Sequence, residues 1–311
     1  ASAVVILRGR GLDYRDAART ARIAATLREQ RHGILATGMM AAFTPAVLAI
    51  VAVAAPAALP AFVLADRLAK FGGMAVSPDG KMVALAGYDS TRNSYKTAEL
   101  YFVGIDGSNF RLASSDLDRD VGGLIWAEDG SGVYFGTQDK GTANLYFQPL
   151  RGGARQVTTG GHMLGVSSIS KAGIAVGVLA GPKAPGDVVR LALTRPGEVT
   201  QLTAVNDDVL GRIRLGDQEE IWYQSSGGAR VQGWIVKPPD FDPKKKYPLI
   251  LEIHGGPHGM YNVAFSYMNQ KFAANGNVVL YTNPRGSTGY GTGFGNAIER
   301  AYPSVDYDDL M

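Results

Sequence analysis

Short apolar segments alternate with turns rich in glycine, aspartate and serine between residues 71 and 203. The pattern repeats about every 45–50 residues, which is the range of β-propeller blades. The first unit has a turn at residues 77–81 and apolar segments at 82–87 and 100–103. Its Asp-Gly pair suits a tight hairpin turn, because glycine adopts a positive φ without strain. Each unit is therefore predicted to form a four-stranded antiparallel sheet.

The second unit repeats this order, with a turn at residues 127–131 and apolar segments at 133–135 and 145–147. A third, weaker unit has apolar segments at residues 174–179 and 188–193. Propellers typically have about four to eight blades, so three units are too few to close a ring. The pattern predicts a partial β-propeller of about three blades, and a β-sandwich with similar strand spacing is the alternative.

Beyond residue 206 the pattern changes to that of an α/β sheet. Strands are predicted at residues 219–224, 231–236 and 278–282, and a helix at residues 265–275. Residues 247–254 form a nearly continuous apolar run, which is typical of a central strand buried on both faces. The order strand, strand, strand, helix, strand fits the N-terminal half of an α/β-hydrolase domain.

Residues 1–65 match neither pattern. Residues 13–30 are predicted to form an amphipathic helix. Residues 41–65 carry no charge, and their length as a helix would span a hydrocarbon core of about 30 Å. Three interpretations remain open for this stretch: a secretory signal that starts at Met39 or Met40, a membrane anchor, and a segment that is not natural coding sequence. The predicted domains are therefore residues 1–65, 66–205 and 206–311.

The location of the protein depends on the choice among these interpretations. It is periplasmic or secreted if residues 39–65 act as a signal peptide, and otherwise cytoplasmic or membrane-anchored.

Composition excludes several classes of function. The chain has no cysteine, which excludes disulfides, thiolate metal sites and a cysteine nucleophile. Its four histidines are scattered, and no cluster has the spacing of zinc ligands. The net charge of +3 is too small to indicate nucleic-acid binding. Neither a cofactor nor a metal is predicted.

The most informative candidate site follows the apolar run at residues 247–254. The sequence His254-Gly255-Gly256-Pro257 is typical of the oxyanion side of an α/β-hydrolase, where backbone N–H groups stabilise developing negative charge. The nucleophile elbow of such enzymes has the pattern Gly-x-Ser-x-Gly. No serine in the chain has glycine at both of these positions, so the chain alone is predicted to be inactive.

Two further polar residues lie near this motif. Arg285 follows a predicted strand in a glycine-rich loop. It is expected to pair with a carboxylate and shape the site, with substrate binding as the alternative. His258 is expected to be a loop histidine rather than a general base, because a base needs a nucleophile to act on.

Four motifs support a more specific prediction. They are Gly-Trp-Ile-Val-Lys-Pro-Pro at 233–239, Leu-Glu-Ile-His-Gly-Gly-Pro at 251–257, Asn-Pro-Arg-Gly-Ser-Thr-Gly-Tyr-Gly at 283–291 and Tyr-Pro-x-x-Asp-Tyr-Asp-Asp-Leu-Met at 302–311. Together they resemble the prolyl oligopeptidase family of serine peptidases, most of all its acylaminoacyl-peptidase and dipeptidyl-aminopeptidase branch. The resemblance covers residues 71–311 and implies a β-propeller before a hydrolase domain.

The resemblance also implies what the site is missing. In the family the catalytic serine, aspartate and histidine would all lie beyond Met311, so the chain is expected to be a fragment of a peptidase that cleaves short peptides. The strand at residues 247–254 is then expected to be a sheet edge, and exposed edges are expected to allow self-association. A non-catalytic propeller binding module with a remnant hydrolase segment is the alternative function.

Overall fold

The computed structural model of the chain describes residues 3–7, 48–52, 70–88 and 93–311. The described part consists mainly of antiparallel sheet with a few short helices, and its strands form no closed barrel. Three groups of four consecutive strands are called the first, second and third modules below. The first module contains β3 (Lys70–Val76), β4 (Met82–Tyr88), β5 (Glu99–Gly104) and β6 (Arg111–Leu112), paired in that order.

The second and third modules repeat this arrangement. A single parallel pairing, between Met163 and Ala143, joins them into one eight-stranded sheet. The second module contains β7 (Val121–Trp126), β8 (Gly132–Asp139), β9 (Thr142–Pro149) and β10 (Arg155–Gln156). The third contains β11 (Met163–Ile169), β12 (Ile174–Gly181), β13 (Ala184–Ala192) and β14 (Arg195–Gln201). Each predicted unit thus has four antiparallel strands, while the assignment of the modules as propeller blades stays a prediction.

The turn between the first two strands of each module has the same geometry in all three. A glycine with a positive φ of 70–72° donates its N–H to the carbonyl oxygen three residues earlier. An L-residue with a side chain rarely adopts this φ, which is why the turn sequence repeats. The three hydrogen bonds are Gly80 N to Ser77 O, Gly130 N to Ala127 O and Gly173 N to Ser170 O, each 2.9 Å long.

The C-terminal sheet contains β15 (Gln218–Gln224), β16 (Arg230–Val236), β17 (Leu249–Glu252) and β18 (Val278–Asn283). Its order is β15-β16-β18-β17, in which β17 runs parallel to β18. The strand predicted at residues 247–254 is therefore shorter than expected. It lies at the edge of the sheet, as the fragment interpretation expects, and not at a centre buried on both faces. Leu249 is 61% exposed there.

Four short helices follow the third module: α1 (Asp207–Leu210), α2 (Tyr267–Ala274), α3 (Thr292–Gly295) and α4 (Val305–Leu310). Helix α2 lies within the helix predicted at residues 265–275 and covers most of that range. It begins after Ser266, whose hydroxyl accepts the N–H of Asn269 at 3.3 Å and so satisfies one free donor of the first turn. Two 3₁₀ turns complete the list, at Ser226–Gly228 and Asn296–Ile298.

The C-terminal sheet packs closely against the turn between β8 and β9 of the second module. Gly141 has a φ of +75°, and a Cβ at this position would overlap the indole of Trp234. The carbonyl oxygen of Gly141 also accepts the N–H of Val263 at 3.0 Å. Trp234 is 1% exposed and belongs to the core cluster of this sheet, with Val279 and Tyr281. The second module and the C-terminal sheet therefore share a packed boundary.

Strand β1 (Ala3–Leu7) pairs with β2 (Leu48–Ala52) in a separate antiparallel sheet. Strand β2 lies within the uncharged stretch at residues 41–65, so residues 48–52 of that stretch form a strand and not a helix. The helix predicted at residues 13–30 and the rest of the uncharged stretch lie outside the described residues. Among the residues that are described, no helix combines the length and apolarity that crossing a bilayer requires.

Candidate functional site

The loop after β17 carries the predicted oxyanion motif. Gly255 and Gly256 are both exposed, and Gly256 has a φ of +139° that a residue with a side chain rarely adopts. Within the described part of the chain, neither of their N–H groups donates a hydrogen bond. Two adjacent free donors in an exposed loop at the end of a strand can donate hydrogen bonds to developing negative charge.

The imidazole of His254 makes a contact outside this loop. Its Nε2 lies 2.9 Å from Oγ of Ser287, which is fully buried. This serine hydroxyl donates its only proton to the carbonyl oxygen of Pro284 at 2.6 Å. Nε2 of His254 must therefore be the donor to Ser287, with the proton on Nε2.

The direction of this hydrogen bond, from His254 to Ser287, distinguishes the pair from a catalytic dyad. In a dyad the imidazole accepts the proton of an accessible hydroxyl, and a third group orients its other nitrogen. Here the imidazole donates, and the hydroxyl is buried. Burial lowers the pKa of His254, with the Gly255 carbonyl acting in the opposite direction, and so favours the neutral ring. The contact of His254 with Ser287 thus joins the loop after β17 to the loop after β18.

Arg285 forms a buried ion pair with Asp309. Its Nη2 lies 2.7 Å from Oδ1 of Asp309, and the two side chains are 12% and 0% exposed. The backbone N–H of Arg285 donates to the same carboxylate at 2.7 Å. Hydrogen bonding to Asp309 raises the pKa of the guanidinium. Of the two roles considered for Arg285, the structure favours structural pairing, because the guanidinium binds the carboxylate of Asp309 in helix α4.

His258 links the oxyanion loop to its neighbours. Its Nδ1–H donates to the carbonyl oxygen of Gly286 at 2.9 Å, and its ring stacks on Tyr95 of the first module. The structure thus brings the 254–258 loop and the 284–291 loop together, joined by His254 and His258. The guanidinium of Arg285, by contrast, faces helix α4.

Sequence reasoning did not identify the residues that bind the 291–299 segment, which lie before β5 and between β6 and β7. Asp118 accepts hydrogen bonds from the backbone N–H and the hydroxyl of Thr292, at 2.9 and 2.7 Å to Oδ1. Its φ is +43°, which is uncommon for a residue with a side chain. Tyr95 N donates to Oδ1 of Asn296, and these partners are 201 positions apart. No local pattern predicts a contact over such a separation.

The described residues contain no group of three or more histidine, aspartate or glutamate side chains that could hold a metal ion.

Residues 263–311 match the sequence profile of the prolyl oligopeptidase family. The chain is 34% identical over 199 residues to the uncharacterized peptidase YuxL of Bacillus subtilis, a match that covers 62% of this chain and 30% of that protein. It is 27% identical over 238 residues to dipeptidyl-peptidase 5 of Porphyromonas gingivalis, over 76% of this chain and 34% of that protein.

A solved structure gives the same indication. The acylaminoacyl peptidase of Pyrococcus horikoshii superposes with a TM-score of 0.64 at 27% identity, over 75% of this chain and 36% of that one. The chain thus spans about a third of the length of the relatives that it matches.

Proposed function

We propose that this chain, which belongs to the prolyl oligopeptidase family, supplies the sheet modules and the oxyanion side of a serine peptidase that cleaves short peptides. The observation that carries the proposal is the pair of free N–H groups at Gly255 and Gly256, in an exposed loop at the end of β17. The names of the relatives, peptidase, dipeptidyl-peptidase and acylaminoacyl peptidase, support peptide substrates.

Each part of the chain has a role in this proposal. Residues 66–205 form a partial propeller beside the site, and residues 206–311 form the front of the hydrolase domain. The N–H groups of Gly255 and Gly256 bind the oxyanion of the tetrahedral intermediate. His254 and Arg285 shape the site by joining its loops and helix α4. The nucleophilic serine and its histidine and aspartate come from sequence outside these 311 residues.

The first prediction is that the 311-residue chain reacts with no active-site probe. A fluorophosphonate labels a serine only when a base has activated it, and the hydroxyl of Ser287 is buried and donates to Pro284. We expect no labelled peptide by mass spectrometry and no hydrolysis of aminoacyl or acyl-peptide p-nitroanilides. Labelling at Ser287 that disappears in Ser287→Ala would show that the His254 contact is a working dyad.

The second prediction tests the peptidase itself on the full-length product of the gene. We expect it to hydrolyse dipeptidyl or acyl-peptide p-nitroanilides. Gly256→Ala is expected to reduce kcat by about 10- to 100-fold, because displacing a catalytic loop by about 1 Å is enough for such a loss. The added Cβ would lie 3.0 Å from the backbone nitrogen of His258, at a φ of +139°.

Gly276→Ala is the matched control for this variant, because Gly276 also has a positive φ, of +81°, but lies outside the proposed site, after helix α2. A Cβ at Gly276 has no described heavy atom within 4 Å. We therefore expect nearly unchanged kcat. Equal activity in the two variants would contradict the role of the loop, and an inactive full-length product would contradict the peptidase proposal in favour of a non-catalytic binding module.

A further inference from the structure

Tyr95 lies between the first module and both loops of the proposed site. It precedes β5 and is 8% exposed. Its hydroxyl donates to Oδ2 of Asp120 at 2.8 Å, and the other oxygen of the same carboxylate accepts the N–H of Ala98. The phenol is thus fixed to the start of the second module, where Asp120 directly precedes β7.

The backbone of Tyr95 is bound to the 291–299 segment. Its N–H donates to Oδ1 of Asn296 at 3.1 Å, and Nδ2 of Asn296 donates back to its carbonyl oxygen at 2.6 Å. A Cβ on Gly295 would overlap the Tyr95 ring, so glycine is needed for this close approach. Two reciprocal hydrogen bonds and the contact with Gly295 therefore hold the 291–299 segment against Tyr95.

The ring of Tyr95 also contacts the oxyanion loop. It stacks on the imidazole of His258 with centroids 5.2 Å apart and an interplanar angle of 28°. His258 is two residues beyond Gly256, and a Cβ on Gly256 would lie within 3.2 Å of three backbone atoms of His258. The backbone of His258 therefore lies close to the α-carbon of Gly256, and this tight turn couples the positions of the two residues.

We infer that Tyr95 is a positioning residue that transmits the placement of the first module to the oxyanion loop through His258 and to the 291–299 segment through Asn296. The inference rests on the proposed function, because it names what holds the proposed oxyanion donors in place. It also assigns the sheet modules a part in the chemistry: a shift of the first module moves the loop that carries Gly255 and Gly256.

Two independent contacts hold the same segment, so replacing Tyr95 is expected to loosen the loops and not to unfold the chain. Asp118 binds Thr292, and Glu299 accepts the N–H and the hydroxyl of Ser94, both at 2.6 Å. Neither contact reaches the oxyanion loop directly. Loss of the Tyr95 side chain is therefore expected to increase the mobility of residues 254–259.

Amide hydrogen exchange of the 311-residue chain, measured by mass spectrometry, tests this inference. Three backbone amides report on the two loops, since each is protected by a hydrogen bond. In Tyr95→Leu we expect their exchange to become about tenfold faster or more, whereas Tyr95→Phe keeps the ring and should stay close to the original rates. The reporting amides are Gly259, Tyr261 and Thr288.

Tyr101→Leu is the matched control. Tyr101 is 6% exposed, its hydroxyl donates to Glu99, and its ring stacks on Phe110, all within the first module. We expect this variant to accelerate exchange in the first module and to leave the three reporting amides unchanged. Unchanged amides in Tyr95→Leu, or the same acceleration in both leucine variants, would overturn the inference.

Should Tyr95→Leu not accumulate as a folded chain, His258→Leu removes the same stack from the side of the loop. We then expect faster exchange at Gly259 and Thr288, and unchanged rates would again overturn the inference. Exchange does not depend on turnover. An inactive full-length product therefore refutes the peptidase proposal alone, and unaltered exchange in an active protein refutes the role of Tyr95 alone.

Discussion

Replacing Asp309 by alanine is expected to lower the free energy of unfolding of the C-terminal sheet by about 3–5 kcal/mol, because it leaves a buried guanidinium without its carboxylate. Asp309 is fully buried and accepts from the backbone N–H, Nε and Nη2 of Arg285. Arg285 also donates to the hydroxyl of Ser226 and the carbonyl oxygen of Val305. One pair thus ties helix α4 to the loop after β18.

Asp308→Ala is the matched control for Asp309→Ala. Asp308 is the exposed neighbour on the same helix and accepts one hydrogen bond from Ser226 at 3.0 Å. Its loss should cost below about 1 kcal/mol, as for other exposed charged groups. Urea unfolding followed by tryptophan fluorescence measures both variants, since Trp222 and Trp234 lie in this sheet. Equal midpoints for Asp308→Ala and Asp309→Ala would contradict a dominant buried pair.

Features that depend on neighbouring residues could be predicted from the sequence. The glycine that follows Asp79 has a positive φ, as does the glycine that follows Asp129, because the constraint acts within a single turn. The strands predicted at residues 219–224 and 231–236 differ from β15 and β16 by one residue at most. Arg285 was expected to pair with a carboxylate, and its Nη2 lies 2.7 Å from Oδ1 of Asp309, a partner that the sequence did not identify.

Features that depend on distant residues could not be predicted in this way. Asp118 was an ordinary loop aspartate in the sequence, yet it binds Thr292, 174 positions away. Tyr95 was likewise one aromatic residue among many. His254 is the donor to Ser287 because the Ser287 hydroxyl donates its own proton to the carbonyl oxygen of Pro284. The sequence does not show this hydrogen bond, which depends on the folded geometry. Long-range packing selects these partners, and a pattern along the chain does not encode them.

The described chain is expected to self-associate through β17. This strand pairs with β18 on one side, and no described strand pairs with its other side. Its apolar side chains lie along the exposed edge, with Leu249 61% and Leu251 37% exposed. An exposed apolar edge strand offers unpaired N–H and C=O groups to a second chain. We therefore expect oligomers or insoluble protein, measured by size-exclusion chromatography with light scattering at micromolar concentration.

A charge on the edge strand should oppose this association, because a lysine cannot be buried between two strands without losing its hydration. Leu249→Lys is thus expected to shift the 311-residue chain strongly towards the monomer. Val178→Lys is the matched control: Val178 is 45% exposed but lies in β12, which pairs on both sides. It should leave the oligomers unchanged. A sharp monomer peak of the unaltered chain, with a cooperative thermal transition, would instead mean that the edge is protected and that these 311 residues fold as a self-sufficient unit.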